Sequence, residues 1–150
     1  MITNYRHTGL VVKNLEKSKN FYCKLLNFKI IQNIVEKGDY FNKLINEKNL
    51  VAKVIKAKLP DNVVLELLEF KNANKKGIKK PRRYYPVGTM HICVTVKNIT
   101  AVYRRLKKKR VKFLSPPLAS DFDPVKTCFC YDPDYNLVQF VEGKQIRKKL

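Results

Sequence analysis

The chain has 150 residues, 45% of them hydrophobic, and a formal net charge of +20 at pH 7, which suits one compact domain or two small halves sharing an apolar core. No run approaches the roughly 18 uncharged apolar residues of a membrane span, and the start Met1 to Arg6 lacks a signal-peptide core, so a cytoplasmic protein with no membrane partner is expected. The charge alone would suit nucleic acid, but 25 of the 32 basic residues are lysines spread along the whole chain. With no helix-turn-helix, zinc-finger or aromatic RNP pattern beside them, no specific nucleic-acid partner is expected.

In chain order, Tyr5 to Lys13 reads as a strand, Asn14 as an N-cap and Leu15 to Leu26 as a helix with Leu15, Phe21, Tyr22, Leu25 and Leu26 on one face. Lys29 to Glu36 follows as a strand, and Asp39 to Glu47 suits a short helical turn. In the strand Val51 to Leu59, one face carries Val51, Ile55, Ala57 and Leu59, with Lys53 as the exception, while Lys56 and Lys58 fall on the other. Pro60-Asp61-Asn62 is a turn signal, and Val63 to Phe70 completes a βαβββ order.

Residues 71–86 break the periodicity with Gly77, Pro81 and Pro86 and hold the densest basic cluster, as a linker between modules would. Met90 to Lys97 is the next strand, and Asn98 caps a helix whose Ile99, Val102, Tyr103 and Leu106 follow the i, i+3, i+4, i+7 rule. Val111 to Leu114, Thr127 to Tyr131 and Leu137 to Glu142 supply three more strands, repeating the βαβββ order. The four cysteines, Cys23, Cys93, Cys128 and Cys130, lack paired zinc spacing in a chain too large to need stapling, and read as reduced thiols.

The strongest feature is an internal repeat. His7-Thr-Gly-Leu-Val-Val-Lys-Asn14-Leu15 returns 84 residues on as His91-Ile-Cys-Val-Thr-Val-Lys-Asn98-Ile99, and these are the only two histidines. Matching the strand, the Val-Lys-Asn tripeptide and the helix start together marks one supersecondary unit used twice. Each copy offers a polar residue on its first strand and another on its last: His7 with Glu66, and His91 with Gln139. A carboxylate flanked by Val64, Leu65 and Leu67 is costly to bury alone, and a metal or an ion partner would offset that cost. Two imidazoles and a carboxylate form a suitable partial shell for a divalent first-row ion. The alternative for each residue taken singly is a hydrogen-bonded structural histidine and a solvent-facing glutamate.

These stretches, together with Val111-Lys-Phe-Leu-Ser-Pro-Pro117 and Tyr131-Asp-Pro-Asp-Tyr-Asn-Leu-Val-Gln139, resemble the vicinal oxygen chelate superfamily of glyoxalase I, methylmalonyl-CoA epimerase, bleomycin resistance proteins and extradiol dioxygenases. The resemblance implies an α+β fold of two tandem βαβββ modules forming a curled, cup-shaped mixed sheet around one divalent ion. It implies a single domain over 1–150, with module one at 1–70, a basic linker at 71–86, module two at 87–143 and a basic tail at 144–150. Carried over by position, the four ligand sites fall on His7, Glu66, His91 and Gln139, for nickel, zinc, cobalt, iron or manganese. Gln139 departs from the glyoxalase-like glutamate; it can ligate through its amide oxygen but cannot serve as a base, which leaves Glu66 as the catalytic carboxylate and Glu142 as a reserve. Tyr135 and Arg110 stand where related sequences place glycine, positions that suit positive φ.

The activity implied is that of a metal-dependent lyase of the glyoxalase I kind or an epimerase-type isomerase. It would move a proton next to the carbonyl of a small thioester or hemithioacetal, in a chain that pairs as a homodimer. The other reading is a small-molecule binding or antibiotic-sequestering protein of the same fold. A dioxygenase is disfavoured by Gln139.

Overall fold

The computed structural model describes residues 1–71, 81 and 83–143. Most of the basic linker expected at 71–86, and the basic tail at 144–150, lie outside the described residues. The chain divides into two units, Met1–Gly77 and Ile78–Leu150. The first runs β1 (Thr8–Val11), α1 (Leu15–Lys19), a π-helical turn (Asn20–Leu25), β2 (Lys29–Lys37), α2 (Asp39–Ile45), β3 (Val51–Lys58) and β4 (Val64–Phe70). The second runs β5 (His91–Thr95), α3 (Ile99–Lys108), β6 (Leu118–Ala119), β7 (Lys126–Tyr131) and β8 (Leu137–Glu142).

Each unit is a four-stranded mixed sheet, and the two strand orders correspond: β1-β4-β3-β2 and β5-β8-β7-β6. In both, the first strand runs parallel to the last, while the other pairs are antiparallel. The parallel pair requires a crossover, and the amphipathic helix after each first strand begins it. This is the α+β arrangement of paired βαβββ modules, with α2 added between β2 and β3 of the first.

Period-two alternation decides the faces. In β3 and β4, Ile55, Ala57, Leu65 and Leu67 are buried with Leu15, Phe21 and Tyr22 of the first helical segment, and α1 packs across both strands. Fully burying an aliphatic side chain of this size is worth about 1.5–3 kcal/mol. The opposite face carries Glu66, with its far end closed where Phe41 of α2 clusters with Ala52 and Val54 and stacks on Phe70. In the second unit Ile99 and Leu106 of α3, Cys128 and Cys130 of β7, and Val138 and Phe140 of β8 are all buried.

The same cap opens both crossover helices. Asn14 Oδ1 accepts from the Lys17 N–H and Asn98 Oδ1 from the Ala101 N–H, both at 2.9 Å. Glu69 of β4 accepts from the Leu15 N–H at 3.0 Å, and Glu142 of β8 accepts from the Ile99 N–H. Two of the orphan amides at each helix start are thereby satisfied, one by the Asn and one by a carboxylate from the adjoining sheet. Glu142, held in reserve as a base by the sequence reading, is committed to this cap instead.

Three element expectations are corrected. His7 lies just before β1, which begins at Thr8 rather than Tyr5. The helix expected over Leu15 to Leu26 is α-helical only to Lys19 and then widens into the π turn. Module one has one residue more than module two between its helix start and the left-handed residue that ends the segment, Asn27 against Arg110. A π turn absorbs such an insertion without moving the buried face. The strand expected at Val111 to Leu114 is reduced to a single bridge, Phe113 to Cys130, and β6 forms further on. Phe113 uses its apolar side chain against Tyr103, ring centroids 4.8 Å apart, rather than in a ladder.

Candidate functional site

In the first unit Glu66 sits at the middle of β4, register partner of Gly9 on β1 and of Lys56 on β3. Its side chain is only 12% exposed. His7 Nε2 lies 3.4 Å from Glu66 Oε2, and Lys56 Nζ lies 3.2 Å from Oε1. The carboxylate that would be costly to bury alone is therefore met on one oxygen by an imidazole and on the other by an ammonium. Lys56 was missed as a site residue by the sequence reading, although a hairpin centred on the Pro60-Asp61-Asn62 turn places it directly across from Glu66.

In the second unit His91 opens β5 and Gln139 lies at the middle of β8, paired with Cys93 and Phe129. The imidazole of His91 is 5.5 Å from the Phe129 ring in an edge arrangement and 5.7 Å from that of Tyr84. Thr127 fixes the amide of Gln139. Its hydroxyl has one proton, which it donates to the Phe140 carbonyl at 3.1 Å, so it accepts from Gln139 Nε2 at 3.0 Å. Oε1 is then the amide atom left to meet a ligand.

The two halves share one register. Thr8 pairs with Leu65, so His7 stands opposite Val64 and Glu66 lies two residues further on; His91 pairs with Leu137, and Gln139 lies two further on. At equivalent places module one has Gly9, Lys56 and Glu66 where module two has Cys93, Phe129 and Gln139. One half is charged and the other is aromatic and neutral.

The structure brings His7 and Glu66 together and sets His91 and Gln139 on one face of the second sheet. Among the described residues no three His, Cys, Asp or Glu side chains form one metal-holding group. The donors nonetheless suit a divalent first-row ion in type, being imidazole nitrogen, carboxylate and amide oxygen. They suit it in spacing within the first unit as well: ligands held about 2.1 Å from one ion at tetrahedral or octahedral angles lie about 3.0–3.4 Å apart, and His7 Nε2 to Glu66 Oε2 is 3.4 Å.

The thiols divide by burial. Cys128 and Cys130 are buried, and desolvation pushes Cys128 up to about 11 and Cys130 higher still, so both stay protonated thiols. Cys93 is exposed on the His91 and Gln139 face, with its pKa raised by partial burial. All four are free.

Residues 4–140 match the sequence profile of the Glyoxalase/Bleomycin resistance protein/Dioxygenase superfamily. No curated protein matches the chain. Among solved structures, a glyoxalase family protein from Bacillus cereus is similar with a TM-score of 0.83 and 14% identity, over 95% of both chains. A glyoxalase family protein from Enterococcus faecalis is similar with a TM-score of 0.65 and 23% identity, over 93% of this chain and 97% of that one. The fosfomycin resistance protein FosX from Listeria monocytogenes has a TM-score of 0.65 and 18% identity over 96% of both chains, and a further FosX structure is a complex with Mn(II) and sulfate. With its βαβββ unit written twice and a profile match over nearly its full length, the chain belongs to the Glyoxalase/Bleomycin resistance protein/Dioxygenase superfamily.

Proposed function

We propose that this chain is a metal-dependent lyase or isomerase of the glyoxalase or epimerase kind, in which His7, Glu66, His91 and Gln139 hold one divalent ion and Glu66 is the catalytic base. The observation that carries it is the common register of His7 with Glu66 and of His91 with Gln139, with His7 and Glu66 already at the spacing of two ligands. The Mn(II) complex of FosX supports a divalent ion in this fold.

The ion, when bound, supplies Lewis-acid stabilisation of negative charge on the substrate carbonyl. Glu66 takes a proton from the carbon beside that carbonyl at Oε1, the oxygen turned away from His7 and toward Lys56, and the electron pair moves to the carbonyl oxygen. The same oxygen then returns the proton to the neighbouring carbon in a glyoxalase-type shift, or to the same carbon in an epimerisation once the planar enolate has turned its other face toward Glu66. His7 and His91 would hold the ion through imidazole nitrogens. Gln139, with its amide locked by Thr127, presents an oxygen that contributes no charge and no proton transfer. Tyr84 and Phe129 pack beside the His91 imidazole within the second unit.

The reaction is tested by solvent deuterium entry into small thioesters and hemithioacetals, with the protein supplied with Mn(II) or Zn(II). Exchange in the parent protein that falls at least a hundredfold in Glu66→Gln is expected. No exchange in any candidate, or exchange indifferent to that change, would contradict the assignment.

A second reading, a binding protein without chemistry, is favoured by one observation: the ammonium of Lys56 balances the charge of Glu66 without any metal. A homodimer holding a small molecule is compatible with both readings.

A further inference from the structure

Lys56 is the register partner of Glu66 across β3 and β4, and its side chain, 27% exposed, brings Nζ to 3.2 Å from Oε1. Its other cross-strand partner is Gln32 on β2, which carries no charge. The four proposed donors carry together one negative charge, that of Glu66, because imidazole and amide ligands are neutral. Module two has Phe129 and Gln139 where module one has Lys56 and Glu66, so it supplies no second acid to restore the balance. A divalent cation entering beside His7 therefore meets a donor set whose only negative charge is already neutralised by a lysine.

We propose that Lys56 is a built-in competitor of the divalent ion, a fixed positive charge that compensates Glu66 in the metal-free protein and holds the metal affinity of the site down. This rests on the metal-binding reading above and deepens it. With no metal, the ion pair keeps a mostly buried carboxylate from standing uncompensated. With a metal on Glu66, the ammonium sits within a few ångströms of a doubly charged ion, and at the dielectric of a partly exposed site that repulsion is enough to cost about tenfold or more in affinity. The device makes occupancy of the site depend on metal supply.

The test is titration of the metal-free full chain with Mn(II) and with Zn(II), by calorimetry and against a chelating dye, in the parent protein and in Lys56→Gln, Lys56→Met and Lys56→Arg. Lys56→Gln and Lys56→Met should bind both ions at least about tenfold more tightly than the parent, while Lys56→Arg, which keeps the charge, should stay within about threefold of it. The neutral variants should also melt lower than the parent without metal and gain a larger thermal shift on adding it. Equal affinity in the parent and both neutral variants would overturn this inference and leave the metal reading standing, as would the same tightening in Lys56→Arg. Absence of binding in every protein would overturn the metal reading and this inference with it. Lys56→Met keeps the length and apolar stem of lysine, so the comparison survives if the glutamine variant misfolds.

Discussion

Arg110 stands in the left-handed region, φ 61°, just past the end of α3, where its N–H donates to the Lys107 carbonyl and the Val111 N–H donates to that of Leu106. That pair of bonds is a Schellman ending, whose left-handed position is usually glycine. A non-glycine residue there costs roughly 1–2 kcal/mol, and glycine gives back roughly half of that through the freedom of the unfolded chain. Arg110→Gly should therefore stabilise by about 0.5–1 kcal/mol, read as a higher midpoint in thermal or urea unfolding. Tyr135 shares the geometry, φ 64°. Both positions were legible in the sequence as places where glycine was missing. Lys56 was not, because a residue's partner across a hairpin depends on register, and the alternation of β3 revealed only which face the lysine shared.

At the scale of elements, the two crossover helices are started by a device that the Val-Lys-Asn repeat only half disclosed. The asparagines were readable as caps, but the carboxylates of Glu69 and Glu142 come from strands more than forty residues away. A carboxylate at a helix start satisfies an amide and faces the positive end of the dipole. Glu142→Gln should accordingly lower stability by about 1 kcal/mol and leave proton exchange intact, in contrast to Glu66→Gln; loss of exchange in the Glu142 variant would return it to the role of a base. The π turn was hidden from sequence reading, because inserting one residue leaves Phe21 and Tyr22 as apolar as a regular helix would make them. The strand expected at Val111 to Leu114 failed as well. Its backbone pairs with β7 only at the single Phe113–Cys130 bridge, and the Phe113 ring packs on Tyr103.

For the molecule as a whole, the duplicated unit predicted two sheets of one topology, and this much of the fold was open to a reader of the sequence because the repeat coincided in strand, cap and helix. The candidate donors were legible for the same reason: His7, Glu66, His91 and Gln139 fall at one register in the two sheets. The thiols give a global test of the buried faces. An unfolded cysteine ionises near 9.0, whereas burial holds Cys128 up to about 11 and Cys130 above that. Raised values mean the folded state keeps its protons longer, so this stabilisation is complete below pH 9 and is lost as pH climbs from about 9 through 11. The drop in unfolding free energy across that window should be visibly shallower in the Cys128→Ala/Cys130→Ala variant than in the parent.

The most direct test of the proposed metal site is the metal content of protein loaded with Mn(II) or Zn(II) and freed of excess, in the parent chain and in His7→Ala and His91→Ala. One ion per chain in the parent, with each histidine variant weakened at least about tenfold, is the result predicted by two modules serving one ion. Retention of the parent's affinity by His91→Ala would contradict it.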